Sequence, residues 1–340
     1  MIRVAVIGAG QWGPNLIRNF ATGERSRVAW VVDRDPARLE QVRQRFPSTQ
    51  VSGEPDAALA DASVDAVVIA TPSSTHHALG RAALLAGKHV LVEKPIATSA
   101  AHAEELCALA EQEQRVLVVG HVFLHNAAVQ RVKAYLAEGH LGRVHYISMV
   151  RTNLGPIRTD VDAAWDLAAH DLSVANLWLG AEPLAVNAVG GTWINPGLPD
   201  AVFLTFRYPD GVLVHVHASW LNPRKDRLVT VVGDRRMLTF DDLAPLEPLR
   251  LYDKQVTEHR TQPYVDTYAT FRAQVRDGDI LIPKMVVGEP LRAECDHFLD
   301  CIDRGTAPIG GGRAALAVVR ALEAVSRSMK NGGREEAVIP

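Results

Sequence analysis

A β-favouring run that ends directly in a glycine-rich turn constrains the fold of this chain more than any other feature. The run covers residues 2–7, and the turn follows the pattern G-x-G-x-x-G with Gly8, Gly10 and Gly13. The first glycine of such a turn permits a tight bend, the second lets backbone N–H groups approach a phosphate, and the third lets a helix pack close to the strand. Phosphates then lie at the helix N-terminus, where unpaired N–H groups and the helix dipole favour anions. The pattern predicts a βαβ unit that binds a dinucleotide.

The residues around this turn indicate which dinucleotide is bound. A helical pattern over residues 14–21 follows the turn, and a second β-favouring run ends at Asp33. An acid at this position accepts hydrogen bonds from the adenosine ribose hydroxyls, which favours NAD and repels a 2′-phosphate. Arg34 leaves NADP open as an alternative cofactor, because a cation there could tolerate the phosphate. Gln11 and Trp12 lie inside the turn and are further candidates for cofactor contacts.

Length and composition predict two domains and argue against several classes of protein. The chain has 340 residues, 47% of them hydrophobic, and a formal net charge of −3. Mixed charge provides no basic surface for nucleic acid, and no apolar stretch approaches the roughly 20 residues that span a bilayer. No group of cysteines or histidines shows a complete set of metal ligands by spacing, so no metal is predicted. The first strand begins directly after Met1, which leaves no room for a signal peptide and favours a cytoplasmic protein.

Two patterns of elements follow each other along the chain. In residues 1–122, β-favouring runs alternate with helical patterns, which predicts a Rossmann domain with a doubly wound parallel sheet. In residues 123–340, successive β-favouring runs predict an α+β substrate-binding domain with an open, mainly antiparallel sheet. Helical patterns over residues 163–179, 290–304 and 313–330 are expected to cover one face of that second sheet. The fold class is therefore α/β with two domains.

Two further strand ends of the first domain carry residues suited to chemistry. The carboxyl ends of parallel strands line the ligand crevice, so these residues should face the dinucleotide. Lys94 would be partly desolvated there, which equips its amine for proton transfer or for polarising a substrate oxygen. A structural ion pair with Glu93 is the alternative. The residues at these two strand ends are Thr71, Pro72 and His76, followed by Glu93, Lys94 and Pro95.

An acid and a histidine are spaced four residues apart in a helical pattern of the second domain. Asp166 and His170 would lie on one face of that helix. The histidine could take the proton of an alcohol as its hydride leaves, while the carboxylate orients the ring and stabilises its charged form. A surface pair without catalytic function is the alternative.

Together, the glycine turn, the Thr-Pro turn, the Glu-Lys-Pro element and the acid–histidine pair resemble the glucose–fructose oxidoreductase/inositol dehydrogenase/rhizopine-catabolism (Gfo/Idh/MocA) family. The motifs occur in the family's order over essentially the whole chain, and Glu-Lys-Pro is the most specific of them. The resemblance implies that the second domain holds the substrate and builds oligomer contacts. It implies a catalytic set of Lys94, Asp166 and His170. It also implies a cofactor environment that includes Thr71, His76, Glu93 and Pro95.

Within the family, residues 165–171 and 278–292 look most similar to members of polysaccharide and antibiotic-sugar biosynthesis, which tend to act on nucleotide-linked sugars, often at C3. The chain departs from common family patterns at residues 162–165 and 125–127, and both segments affect the substrate pocket. Sugars need many directional hydrogen bonds, and a diphosphate needs a cation with fork geometry. The candidate substrate-binding residues are His121, Asn126, Arg151, Asn153, Arg158 and His170.

The resemblance implies an NAD-dependent oxidoreductase that interconverts a ring hydroxyl and a ketone of a sugar, such as a UDP-N-acetylhexosamine. The nicotinamide C4 would take the hydride, His170 or Lys94 would take the hydroxyl proton, and Asp166 would orient the base. One alternative is a redox-neutral enzyme that oxidises the sugar, eliminates a substituent and reduces it again. Another is a sensing regulator without catalysis, against which the complete set of proton-transfer groups argues. An open sheet with one uncovered face predicts a homodimer or homotetramer.

Overall fold

The chain folds into two units. A computed structural model describes residues 1–155, 157–256, 275–286 and 288–339. The first unit comprises Met1–Asn126 and Gly288–Glu323, and the second comprises Ala127–Val287 and Ala324–Ile339. Each unit is thus built from separate stretches of chain, whereas the sequence predicts a single boundary between residues 122 and 123.

The first unit contains the predicted parallel sheet. Its six strands lie in the order β3-β2-β1-β4-β5-β6, and every neighbouring pair is parallel. The strands are β1 (Ile2–Ile7), β2 (Ser26–Val32), β3 (Gln50–Ser52), β4 (Ala66–Ile69), β5 (His89–Glu93) and β6 (Leu117–Gly120). The central strands are apolar without alternation because both of their faces are buried. The strand order changes direction between β1 and β4, and the crevice at such a switch point is where doubly wound sheets bind ligands.

Five helices of the first unit connect these strands. They are α1 (Gly13–Thr22), α2 (Pro36–Arg45), α3 (Asp56–Ala60), α4 (His76–Leu85) and α5 (Ala100–Gln112). The sequence analysis missed α2, whose residues are mostly polar and give little hydrophobic periodicity. The start of α2 is nevertheless encoded locally, because the Asp35 side chain accepts the Ala37 N–H at 2.9 Å and Pro36 occupies the first helical position.

The second unit contains a nine-stranded sheet in the order β14-β13-β12-β11-β7-β10-β9-β8-β15. All neighbours are antiparallel except β7 and β10, which confirms the mainly antiparallel prediction. The strands are β7 (Val144–Leu154), β8 (Ala185–Gly191), β9 (Ala201–Arg207), β10 (Leu213–Ser219), β11 (Leu221–Gly233), β12 (Met237–Asp241), β13 (Leu249–Val256), β14 (Val275–Leu281) and β15 (Glu336–Ala337). Burial alternates along β9, where Leu204 and Phe206 are buried and Phe203 is exposed, as expected for a sheet packed on one face.

The remaining helices do not all cover this second sheet. Among the residues that the structure describes, they are α6 (Ala127–Ala137), α7 (Ala169–Leu179), α8 (Pro290–Arg304) and α9 (Gly312–Lys330). The prediction for α8 is wrong, because its apolar face joins the core of the first unit, where the Phe298 ring meets Phe20 edge-on at 6.4 Å. Periodicity identifies an apolar face but not the sheet that the face meets. Helix α9 contributes to both units, since the division falls after Glu323. In the part of the chain described, no helix is long and apolar enough to cross a membrane.

Candidate active site

The glycine turn of the first unit keeps space for a ligand. Gly8 has φ +103°, and a Cβ there would lie 2.5 Å from the carbonyl oxygen of Ala70. A Cβ at Gly13 would lie 2.1 Å from the carbonyl oxygen of Gly8, so close packing requires glycine at both positions. A Cβ at Gly10, by contrast, would meet only the Arg38 Nη1 atom, at 3.4 Å. Packing does not require glycine at residue 10, but the approach of a pyrophosphate to the backbone does. The turn therefore fits a dinucleotide.

Asp33 is held against this turn by backbone hydrogen bonds. Its Oδ2 accepts the Ala9 N–H at 2.7 Å, and its Oδ1 accepts the Asp35 N–H at 2.9 Å. Each carboxylate oxygen keeps acceptor capacity for a ribose hydroxyl. Arg38 Nη1 lies 3.5 Å from Asp33 Oδ2, while Arg34 is exposed. Sequence analysis missed Arg38, which could have been found as the cation in the first turn of α2.

His76 connects the two other strand ends that were predicted to face the cofactor. Its ring is buried, with Nδ1 2.7 Å from the carbonyl oxygen of Pro95 and Nε2 2.8 Å from that of Thr71. The carbonyl of Ala70 borders Gly8, so the ends of β1, β4 and β5 meet at one place. Because both ring nitrogens are used by backbone carbonyls, we expect His76 to position these turns and not to contact a cofactor itself.

Glu93 and Lys94 end β5 at this place, and the Lys94–Pro95 peptide bond is cis. Burial raises the pKa of Glu93 to about 7, although the charge of Lys94, the Lys94 N–H and the Trp12 indole N–H favour its ionised form. The carboxyl group occupies the space that a side chain on residue 120 would fill, because a Cβ on Gly120 would lie 2.9 Å from the carboxyl carbon of Glu93. Trp12 thus contacts this element directly.

Two histidines that follow β6, His121 and His125, are neutral, and His121 interacts with Lys94. Burial lowers the pKa of His121 to about 3, and the charges of Lys94 and His125 lower it further. Burial also lowers the pKa of His125 to about 4, with a smaller contribution from His297. At neutral pH both rings therefore offer hydrogen bonds without charge. Asn126, a predicted substrate-binding residue, follows directly and donates its N–H to the carbonyl of Phe123 at 3.1 Å.

In the second unit, Asp166 lies in a π-helical segment, Ala164–Ala168, and not in the regular α-helix that the sequence predicts. This wide turn precedes α7, whose second residue is the half-buried His170. The Asp166 carboxylate accepts a hydrogen bond from Arg158 Nη1 at 3.3 Å and another from the Trp220 indole N–H at 3.2 Å. Both donors favour the ionised carboxylate. Single π turns inside helices are frequent at functional sites.

The predicted substrate-binding residues of the second unit have different surroundings. Arg151 is buried and donates two hydrogen bonds to Asp171, from Nε to Oδ2 at 3.0 Å and from Nη2 to Oδ1 at 2.8 Å. Its guanidinium is therefore paired with a residue of α7. This differs from the substrate contact that the sequence predicts for Arg151. Arg158 is 37% exposed and also pairs with Asp160 at 2.6 Å. Asn153 lies near the end of β7, where its side chain covers Gly155.

His77, which follows His76, and His217, two residues after His215 on β10, have separate partners. His77 contacts Glu105 at 2.8 Å and stacks on His102 with ring centroids 4.0 Å apart. His217 stacks on Phe203 at 4.5 Å. Within the described residues, no three potential ligands converge on a common metal position.

Comparison with known proteins identifies the family of both parts of the chain. Residues 2–121 match the profile of an oxidoreductase family with an NAD-binding Rossmann fold, and residues 129–239 match the GFO/IDH/MocA C-terminal domain. The UDP-N-acetylglucosamine 3-dehydrogenase of Acidithiobacillus ferrooxidans is 36% identical over 195 residues, which are 56% of this chain and 58% of that protein. Inositol 2-dehydrogenase 2 of Saccharopolyspora erythraea is 32% identical over 227 residues, which are 63% of this chain and 66% of that protein. The chain thus spans less than two thirds of the length of these relatives.

Solved structures extend the similarity over nearly the whole chain. The structure of the Acidithiobacillus ferrooxidans enzyme, GnnA, superposes with a TM-score of 0.81 at 28% identity and covers 97% of this chain and 98% of its own. GenD2 from gentamicin A biosynthesis, in complex with NAD, superposes with a TM-score of 0.82 at 27% identity. The superposition covers 100% of this chain and 97% of the GenD2 chain. Because the two profiles span both the glycine turn with its Glu-Lys-Pro element and the strands of the second sheet up to residue 239, the chain belongs to the GFO/IDH/MocA family of oxidoreductases.

Proposed function

We propose that this protein is an NAD-dependent oxidoreductase that interconverts a ring hydroxyl and a ketone of a sugar. The observation that carries the proposal is the position of Lys94 at the end of β5, in the same unit as a glycine turn shaped for a pyrophosphate. A cation at this edge can hold a substrate oxygen on which negative charge develops as hydride leaves the carbon. The neutral His121 beside it adds no competing charge.

The reaction needs one proton to leave the hydroxyl as the carbon is oxidised. When bound, the nicotinamide supplies the hydride acceptor. We propose that Lys94 and His170 act on the hydroxyl, one as its base and the other as a hydrogen-bond donor. Asp166 accepts hydrogen bonds from Arg158 and Trp220, and in this proposal it orients His170. The pH dependence of kcat/KM is compared between the wild type, His170→Gln and Lys94→Ala. The variant that loses this pH dependence identifies the base.

We further propose that the substrate is a nucleotide-linked hexose oxidised at C3. The relative named UDP-N-acetylglucosamine 3-dehydrogenase supports this choice through both its sequence and its structure. Arg158 is the candidate for a diphosphate contact, because its side chain is 37% exposed. A diphosphate would replace the exposed Asp160 carboxylate on the Nε and Nη2 atoms of Arg158. Arg151 is not part of this proposal, since its guanidinium is paired with Asp171.

A homo-oligomer is the proposed assembly, with the open face of the second sheet as the contact. Side chains on that face are apolar and exposed: Tyr146 by 45%, Phe203 by 44%, Leu213 by 40% and Leu228 by 41%. An exposed apolar surface of this kind marks an interaction site. Light scattering on the purified protein should give a dimer or tetramer mass, and Phe203→Glu should lower it.

Nicotinamide fluorescence tests the proposed activity. The protein is mixed with NAD or NADP and with UDP- and dTDP-hexoses, free hexoses and inositols. A rise with NAD and one nucleotide sugar supports the proposal, and the Lys94→Ala variant should abolish that rise. Bound cofactor with no signal across the panel would contradict a dehydrogenase and favour a redox-neutral enzyme or a sensor.

A further inference from the structure

A buried carboxylate holds the segment that connects β8 to β9 in the second unit. Asp200 Oδ2 accepts two backbone N–H groups of this segment, from Trp193 at 2.6 Å and from Ile194 at 2.8 Å. The Asp200 N–H donates to the carbonyl oxygen of Gly191, the last residue of β8, at 2.8 Å. Trp193 and Ile194 are 66% and 56% exposed, so hydrogen bonds to Asp200, and not burial of their side chains, fix the backbone there.

The position of this carboxylate carries a cost that its hydrogen bonds offset. Asp200 is 0% exposed, and its Oδ1 has no hydrogen-bond partner among the described residues. Burying a polar or charged group is unfavourable unless it is hydrogen-bonded. An apolar residue at position 200 would avoid this cost, but it would leave the Trp193 and Ile194 N–H groups without their acceptor. What Asp200 contributes is therefore the conformation of residues 193–200.

One route leads from this segment to the Asp166 carboxylate through Arg158. Asn195 follows directly after the two residues that Asp200 holds, and its Nδ2 donates to the carbonyl oxygen of Arg158 at 2.7 Å. Arg158 Nη1 in turn donates to Asp166 Oδ1 at 3.3 Å. The backbone position of the arginine that contacts Asp166 thus depends on residues 193–195.

A second route leads to the other oxygen of the same carboxylate. The Asp200 carbonyl oxygen accepts the Trp220 N–H at 3.0 Å, and the buried Trp220 indole donates to Asp166 Oδ2 at 3.2 Å. The carbonyl oxygen of Pro199 accepts the N–H of Ala163, which precedes the π-helical segment that carries Asp166, at 3.0 Å. Each oxygen of the Asp166 carboxylate therefore receives a donor that residues 193–200 hold in place.

We propose that Asp200 is a positioning residue: by fixing residues 193–200 it sets two donors of Asp166 and so the direction of that carboxylate. Its effect on turnover rests on the proposed function, in which Asp166 orients His170. The hydrogen bonds themselves do not depend on any reaction. Sequence analysis identified Asp166 but gave Asp200 no role, because the groups that Asp200 connects lie on separate elements.

Hydrogen exchange of the wild-type protein tests this arrangement without a variant or a substrate. Trp193 and Ile194 are exposed, and backbone N–H groups of exposed segments exchange rapidly unless a stable hydrogen bond protects them. Donation to the buried Asp200 carboxylate should slow exchange at both residues at least about tenfold below the rate of an unprotected peptide. Unprotected exchange at both residues would overturn the proposal.

The Trp220 indole provides a second readout that needs no activity. Its N–H signal, in protein labelled with ¹⁵N-tryptophan, is assigned by its loss in Trp220→Phe. Asp200→Ala should move this signal upfield, because the hydrogen bond to Asp166 weakens when residues 193–200 are released. Asp200→Asn should keep it near the wild-type position, since the amide oxygen can accept the same two N–H groups. The Trp30 indole donates to Asp61 in the first unit, so its unchanged signal would show an intact fold. With that fold intact, an unchanged Trp220 signal in Asp200→Ala would contradict the proposal.

A matched control removes another carboxylate that accepts a backbone N–H in the second unit. Asp234 Oδ1 accepts the Arg143 N–H at 3.0 Å, next to the start of β7. Trp220 follows the strand end that pairs with Thr152, near the opposite end of β7. Asp234→Ala should therefore leave both the Trp220 signal and kcat unchanged. An effect as large as that of Asp200→Ala would show that loss of any such carboxylate suffices.

Turnover separates a positioning role from a purely structural one. We expect Asp200→Ala to lower kcat by roughly 10- to 100-fold, since a misplacement of about 1 Å at the reacting groups can cost that much. KM for NAD should not change, because the dinucleotide turn belongs to the first unit. Asp200→Asn should restore most of kcat. Equal kcat values in Asp200→Ala and the wild type, or in Asp200→Ala and Asp200→Asn, would reject the positioning role.

A variant outside the carboxylate keeps the test decisive if Asp200→Ala does not fold. Asn195→Ala removes only the route through Arg158, so kcat should fall by a few-fold while the Trp220 signal stays in place. An unchanged kcat in Asn195→Ala would contradict that route. Failure of the wild type to oxidise any sugar would contradict the proposed function, whereas hydrogen exchange and the Trp220 signal would still decide the role of Asp200 in holding Asp166.

Discussion

The guanidinium of Arg151 on β7 forms a bidentate ion pair with the carboxylate of Asp171 on α7, and both side chains are buried. The pair ties the first turn of α7, which also carries His170, to the second sheet. A buried pair of this kind is costly to break from one side, because the remaining charge has no partner. Arg151→Met should therefore lower the free energy of unfolding by roughly 3–5 kcal/mol. Urea denaturation measures the free energy of unfolding. The double variant Arg151→Met/Asp171→Leu should lose clearly less of this free energy than Arg151→Met alone.

Alanine substitutions in the glycine turn should separate folding from cofactor binding. Gly10→Ala has space in the structure, so its melting temperature should stay close to that of the wild type. Its affinity for NAD should fall at least about tenfold, or about 1.4 kcal/mol, because the Cβ obstructs the pyrophosphate. Gly13→Ala should melt at a lower temperature, since its Cβ would lie 2.1 Å from the Gly8 carbonyl oxygen. NADH fluorescence and differential scanning calorimetry provide the two readouts. Normal NAD affinity in Gly10→Ala would argue against the proposed phosphate position.

The choice between NAD and NADP should depend on Asp33 and Arg38. Removing the carboxylate in Asp33→Ser takes away the ribose acceptor and the repulsion of a 2′-phosphate. We expect the Kd for NAD to rise by about tenfold and the Kd for NADP to fall. Arg38→Ala should weaken NADP binding in the Asp33→Ser background, since Arg38 Nη1 lies 3.5 Å from Asp33 Oδ2. Arg34→Ala is the matched control, and a larger effect there than at Arg38 would reverse the assignment.

Two lysines of the first unit should respond differently to substitution. Lys94→Ala should lower kcat by about 10²–10⁴-fold, typical of a lost proton-transfer group, with NAD affinity nearly unchanged. The buried Lys88 donates to the carbonyl oxygens of Asp61 and Val64, both at 2.8 Å, and serves as a structural control. Lys88→Met should lower the melting temperature and leave kcat within a few-fold of the wild type. Unchanged turnover in Lys94→Ala would remove this residue from the mechanism.

Acid should destabilise the first unit through His121. Its pKa is about 3 in the folded protein, against an ordinary value of 6.5. The unfolded chain therefore binds a proton that the folded chain does not, and stability is lost as pH falls below 6.5. Between pH 6.5 and 5 this amounts to roughly 2 kcal/mol from this one group. Denaturation of wild type and His121→Gln at both pH values measures the difference, and equal losses in the two proteins would contradict it.

Much of the site was predictable because its motifs are local. Gly8, Gly13 and the strand before them identify a turn whose conformation depends on residues within a few positions of one another, and Asp33 ends the next strand at the expected place. Helical patterns over residues 74–86 and 99–112 predict α4 and α5 to within about two residues at each end, because amphipathic periodicity and helix caps are also local signals.

Contacts between distant segments were not predictable in the same way. Arg151 pairs with Asp171, and His76 bridges two turns, so both residues have their partners on other elements. A polar residue in a sequence shows its hydrogen-bonding capacity but not the group that uses it. For this reason the sequence predicts a substrate contact for Arg151, whereas the structure pairs its guanidinium with Asp171.

The sequence by itself determined the Rossmann turn, the parallel first sheet followed by a mainly antiparallel second sheet, and the family. The catalytic set of Lys94, Asp166 and His170 stays a prediction. Only the tertiary structure decided that α8 belongs to the first unit, that Asp166 lies on a π turn, and which polar groups are buried together. The physical reason is that backbone conformation and periodicity depend on near neighbours along the chain. Burial and charge state depend on segments hundreds of residues apart, such as those of Phe20 and Phe298, that meet only when the core is packed.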